Sequence, residues 1–156
     1  MCGREPGAMK AEPPAKIYVA SSWRNERQPS VVQSLRDARY EVYDFRDRGF
    51  HWSDIDPEWE SWTPDEYRSH LLTHPLAAEG FAKDMEALRG AAAVVLVQPC
   101  GRSAHLEFGW AIGAGKPGII LLADGEPELM SRMATDLCTS IEEVIERLDA
   151  IEPATP

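Results

Sequence analysis

Long apolar runs are missing from this sequence. None approaches the ~18 consecutive apolar residues of a membrane-crossing helix, and the start carries no apolar stretch of the kind that directs secretion. Cysteine is scarce: Cys2, Cys100 and Cys138 are odd in number, widely spaced and without a Cys-x-x-Cys pair, so neither a disulfide framework nor a zinc site is expected. A reducing, cytoplasmic setting is the expectation. Positive charge is short as well, with 16 Lys and Arg against 26 Asp and Glu and a net charge of -10. That balance opposes binding to nucleic-acid polymers or to anionic membrane, while leaving room for a few local arginines to hold one small anion. No internal repeat is evident.

What is present is an ordinary globular composition. In 156 residues, 44% are hydrophobic and 27% charged, which suits one domain around one core. Residues 1–15, rich in Pro, Gly and Ala, read as a disordered leader; residues 16–150 read as a single domain, and 151–156 as a tail.

The pattern alternates between strand and helix. Residues 17–20 form a short β-branched and aromatic run that ends in the polar Ser21-Ser22-Trp23-Arg24. Pro29 opens a helix with Val31, Val32 and Leu35 on one stripe, ending near Arg39, and residues 41–45 predict a second strand. Residues 46–74 then carry Trp52, Trp59 and Trp62, with Phe50 and Tyr67, but no long apolar stripe. This insertion is too long for an ordinary connection. It is either a lid with a short helix after Thr63-Pro64 or a satellite hydrophobic cluster.

In residues 75–89, Ala77, Phe81, Met85 and Leu88 recur at helical spacing and predict one buried face, with Asp84 on its flank. Residues 91–97 read as a central strand covered on both sides. Residues 103–114 predict a helix apolar almost all round, with Leu106, Phe108, Trp110, Ala111 and Ile112 around its circumference. Lys116-Pro117 stops it, residues 118–122 give another buried strand, and residues 136–138 and 141–148 supply a last strand and helix. The expected fold is α/β: a doubly wound, flavodoxin-like parallel sheet of five strands, helices on both faces, and the Trp-rich insertion after the second strand.

Within that frame Glu107 is out of place. A capping box needs the acid at Leu106, one residue earlier, and a helical ion pair needs Lys or Arg where Ser103, Ala104, Trp110 and Ala111 stand. What remains is the positive end of the helix dipole or a partner from elsewhere in the fold. Asp84, on the helix leading into the same strand, can reach the same crevice outside the carboxyl ends of the strands. Paired carboxylates suit glycosidic chemistry, one attacking an oxocarbenium-like centre and the other positioning a hydroxyl or leaving group. The Gly101-Arg102-Ser103 turn, with Arg24, offers the ingredients of an anion site, or is a solvated pair of arginines.

Other patterns carry less. Gly113-x-Gly115-x-x-Gly118 stands where a helix gives way to a strand, the reverse of a dinucleotide fingerprint, and His70 and His74 lack the acid of a metalloprotease motif. Cys100 is a candidate reactive thiol without a visible base, and His105 a helix-surface residue beside the anion turn. No metal or cofactor is expected.

Lys16-Ile-Tyr-Val-Ala-Ser-Ser, Gly80-Phe-Ala-Lys-Asp84, and Gly101-Arg-Ser-Ala-His-Leu-Glu107-Phe-Gly109-Trp-Ala111 followed by Gly115-Lys-Pro117 resemble the nucleoside 2-deoxyribosyltransferase-like family. The resemblance implies a flavodoxin-like fold and cleavage of the N-glycosidic bond of a nucleoside or nucleotide. It implies Glu107 as the nucleophile on the sugar C1′ and Asp84 as a group positioning sugar and nucleophile. The segment Gln98-Pro-Cys-Gly-Arg lacks the further acid that transferase members use on the base, whereas Ser21, Ser22, Trp23, Arg24, Gly101, Arg102 and Ser103 look more like the nucleotide N-hydrolase branch, where such residues hold a 5′-phosphate. Trp52 and Trp62 are candidates for stacking on a base. The implied partner is a small nucleoside or nucleotide, and the implied state a homo-oligomer, dimer or higher. A non-catalytic nucleotide-binding or Toll/interleukin-receptor-like signalling module, with or without NAD cleavage, is the alternative on the same fold plan.

Overall fold

A computed structural model describes residues 15–151. The expected leader and tail lie outside the described residues except for Ala15 and Ile151. Five strands, β1 (Lys16–Ala20), β2 (Glu41–Asp44), β3 (Ala93–Val97), β4 (Gly118–Leu121) and β5 (Asp136–Cys138), pair in parallel in the order β2-β1-β3-β4-β5. This is the flavodoxin-like order, with its switch point between β1 and β3.

Strand periodicity sorts the core into two layers. Ile17, Val19, Ala93, Val95, Val97, Ile119 and Leu121 face α1 (Gln28–Asp37) and α5 (Ile141–Asp149). Tyr18, Ala20, Val94, Leu96 and Ile120 face α3 (Pro75–Gly90) and α4 (Arg102–Gly113). Every residue of β3 and β4 is buried, as central strands covered on both faces must be. β3 begins two positions after residue 91 because Ala91 caps α3, and its carbonyl accepts a bond from Lys116 Nζ at 2.6 Å. β2 stops at Asp44, whose side chain accepts from Arg46 N at 2.9 Å and starts a 3-10 turn over Phe45–Arg48.

Two expectations need correction. Phe81 is 66% exposed; the buried stripe of α3 is Ala77, Gly80 and Leu88, with Asp84 half-buried between the last two. The helix turns this way because Gly80 has no side chain: a Cβ there would stand 3.2 Å from Phe50 Cγ, so the insertion packs where Phe81 was expected to point the helix. Likewise α4 is not buried all round. Ala104, Phe108 and Ala111 pack on the sheet, while Leu106 is 76% and Trp110 38% exposed, since none of the described elements covers that outer flank.

The insertion contains the expected helix, α2 (Pro64–Thr73), opened by a Thr63–Glu66 capping box and packed against α3. Before it lie 3-10 turns at Trp52–Asp54 and Trp59–Ser61. Its aromatic rings form a satellite cluster: Trp52 meets Phe50, Trp62 and Tyr67 edge-on, and Trp62 stacks on His70 at 4.3 Å. No helix among the described residues is long and apolar enough to cross a membrane.

Candidate active site

The crevice at the carboxyl ends of β1 and β3 is tied together by short polar side chains. Ser21 Oγ donates to the Val97 carbonyl at 2.9 Å. Buried Asn25 donates to the carbonyls of Val97 and Pro99 at 3.1 and 2.9 Å, and its Oδ1 accepts from the amides of Arg27 and Gln28. Arg46, from the turn after β2, reaches the carbonyls of Ser22, Trp23 and Asn25 at 3.2, 3.1 and 2.9 Å. Asn25 thus joins the loop after β1 to the loop after β3, and Arg46 joins it to the turn after β2.

Both acids fall in the buried stripes of their helices. On α4, Glu107 lies three residues after Ala104 and four before Ala111, so it faces the sheet with them. On α3, Asp84 lies four residues after Gly80 and four before Leu88. The two helices share one face of the sheet, and Tyr18 rises from β1 between them and the adjacent Tyr43 of β2, whose ring it stacks on at 5.1 Å. Asp84 Oδ1 accepts two bonds of 2.8 Å, from the Tyr43 hydroxyl and from Arg48 Nε. The Arg48–Asp84 pair is only 14% exposed on either side.

Burial dominates the electrostatics. It pushes the Glu107 carboxyl up from 4.5 to about 7, helped by the negative charge of Asp84 and opposed by the Tyr18 hydroxyl and the Arg48 guanidinium. The Tyr18 phenol is raised far above its ordinary range, first by burial and then by the charges of Glu107 and Asp84. Its hydroxyl lies close enough to influence Glu107, yet the contact falls short of regular hydrogen-bond geometry, and the oxygen is a buried polar atom with no partner among the described residues. Tyr43 is raised by burial and then by its bond to Asp84. A desolvated acid that ionises near neutrality, beside a second carboxylate and two phenols, is equipped for nucleophilic or proton-transfer chemistry.

None of the remaining predicted residues is buried. Ser22 Oγ accepts from the Arg24 amide at 3.2 Å, and the Arg24 side chain stands in solvent. Trp23 is 46% exposed, with Phe45 edge-on and Arg46 5.5 Å from its centroid. Gly101 precedes α4 without a side-chain cap, and Arg102 and Ser103 are exposed in its first turn. Trp52 and Trp62 belong to the satellite cluster, whose Phe50 ring lies 5.3 Å from the guanidinium of Arg48, the partner of Asp84. Cys100 is held as a neutral thiol, pushed up to about 11 by burial and by Glu107. His105 Nδ1 lies 2.8 Å from the Gly101 carbonyl, and His74 caps α3.

Sequence reasoning missed Tyr18, Tyr43 and Arg48. The first had a signal, because a tyrosine in an otherwise apolar buried strand carries a polar hydroxyl into the interior. Arg48 had none: it stands 36 residues from Asp84 in an insertion without periodicity.

No protein-family model matches this sequence, and no curated protein matches it. Among solved structures, the chain is similar to the 2-deoxyribosyltransferase of the psychrotolerant bacterium Bacillus psychrosaccharolyticus, at 21% identity and a TM-score of 0.61, covering 90% of this chain and 100% of that one. The two share a fold. A further similarity is to the CMP N-glycosidase BcmB of Clostridium botulinum, at 18% identity and a TM-score of 0.49, covering 86% of this chain and 97% of that one.

Proposed function

We propose that this protein cleaves the N-glycosidic bond of a nucleoside or nucleoside 5′-monophosphate, with Glu107 as the nucleophile. The observation that carries the reading is Glu107 itself: a half-buried acid without cap or ion-pair partner on its own helix, held beside Asp84 and Tyr18 at the ligand-binding end of the sheet. A carboxylate oxygen of Glu107 bonds to C1′ as the C1′–N bond breaks, and the electron pair leaves with the base, which takes up a proton. Water, or a second base, then attacks C1′ and releases Glu107. Asp84 orients the sugar. Ser21, Ser22, Arg24, Gly101, Arg102 and Ser103 surround the sugar or its phosphate, and exposed Trp23 offers a ring to the base. The resemblance in sequence extends the reading to a homo-oligomer.

The test is base release from a panel of nucleosides, their 5′-monophosphates and NAD by the purified protein. The expected result is release from a nucleoside or monophosphate that Glu107→Ala abolishes. No release by the unaltered protein, or equal release by the variant, overturns the reading; release confined to NAD assigns a different substrate. Because the attacking group must be ionised, kcat/KM rises with pH through a midpoint of about 7.

A further inference from the structure

We propose that Arg48 is a positioning residue for this chemistry: together with Tyr43 it grips Oδ1 of Asp84, so that the carboxylate is held in one orientation beside Glu107 and keeps only Oδ2 for substrate. The inference rests on the proposed glycosidic reaction and adds to it a residue from the Trp-rich insertion.

The geometry is specific. Two donors, Tyr43 OH and Arg48 Nε, converge on the same oxygen at 2.8 Å each, and Asp84 Oδ2 has no hydrogen-bond partner among the described residues. A carboxylate with one oxygen doubly occupied presents a single acceptor to a hydroxyl in the crevice. The arginine is also poorly served as a purely structural ion pair. Its Nη1 is buried with no hydrogen-bond partner among the described residues. Buried ion pairs with an orphaned donor add little to stability, so the retained cation points to a role in the site.

Charge gives the second reason. Two carboxylates at close range in a desolvated site repel each other, and a cation beside one of them determines how they share protons. The groups that act on Glu107 are Tyr18 from β1, Asp84 from α3 and the Arg48 guanidinium; Tyr43 from β2 and Cys100 from the loop after β3 also sense its charge. Arg48 is the one cation in this set. It arrives from the same turn as Arg46, which clamps the loop after β1, so two arginines of one turn bracket two walls of the crevice.

The experiment compares Arg48→Met, Arg48→Lys and Tyr43→Phe for base release across pH, with unfolding followed in each. Arg48→Met is expected to lower kcat/KM on the order of 100-fold and to move the midpoint of the Glu107 limb up by about one pH unit. Arg48→Lys restores the midpoint but not the full rate, because an ammonium lacks the directed Nε–H. Tyr43→Phe loses about tenfold and leaves the midpoint in place. If Arg48→Met does not fold, the Lys and Phe variants carry the test. A folded Arg48→Met with unaltered rate and midpoint overturns the proposal, as does Arg48→Lys behaving as the unaltered protein in both. Should the unaltered protein release no base, the reading of function fails on its own. The Glu107 carboxyl is then titrated by carbon NMR in the unaltered protein and in Arg48→Met or, if that variant does not fold, Arg48→Gln: loss of the cation is expected to raise the midpoint, and an unmoved midpoint in the neutral variant overturns the role of Arg48.

Discussion

Glu107 enters the folded state as an acid that prefers its proton. Its ordinary value of 4.5 applies to the unfolded chain, and the folded value is about 7. Between the two, the folded chain retains a proton that the unfolded chain has released, so stability falls as pH rises through this window and the cost is complete above it. A shift of that size corresponds to about 3 kcal/mol. Glu107→Gln is therefore expected to stabilise the fold by up to about 3 kcal/mol in urea unfolding near pH 8, with no gain near pH 4. An equal effect at both pH values would contradict the assignment. The same substitution removes the nucleophile, so stability and base release move in opposite directions, as expected where a site stores an unfavourable charge.

At the scale of elements, the seam between α4 and β4 sets where Glu107 stands. Gly118 permits it: a Cβ there would lie 2.6 Å from Ile112 Cδ1 and 2.7 Å from Phe108 Cε2. Gly118→Ala is expected to destabilise the chain by about 1–3 kcal/mol in urea unfolding and to lower base release by displacing α4. A glycine read from sequence as part of a rejected nucleotide motif thus proves to be a packing residue. Pattern predicted these elements well because period and turn chemistry are local: β4, β5 and α5 stand where expected, and the Thr63–Glu66 cap opens α2. Pattern misjudged helix rotation. Phe81 and Leu106 look like core residues until Gly80 and the edge of the fold are placed, because apolar spacing states which residues share a face and not what lies opposite.

The whole molecule carries a net charge of -10 in its 156 residues. The ion pairs on its surface are mostly exposed, such as Lys16–Glu41 with side chains 62% and 57% accessible, and contribute little. Self-repulsion therefore outweighs local pairing, and the melting temperature is expected to rise as salt screens it over about 0.01–0.15 M. A fall in Tm over that range in thermal scans would show that specific pairs dominate instead.

The sequence by itself determined the order of strands and helices, the isolation of Glu107 from any local partner, and the presence of Asp84 on a buried flank. Each follows from residues within a few positions of one another, where backbone periodicity decides which side chains meet. Tertiary structure alone decided what surrounds those acids. Tyr18 and Tyr43 meet them because parallel strands place both rings on the face that α3 and α4 cover, and Arg48 meets Asp84 across 36 residues because the turn after β2 folds back onto α3. Such contacts depend on how elements cross, and no local period encodes the crossing of two helices over one sheet.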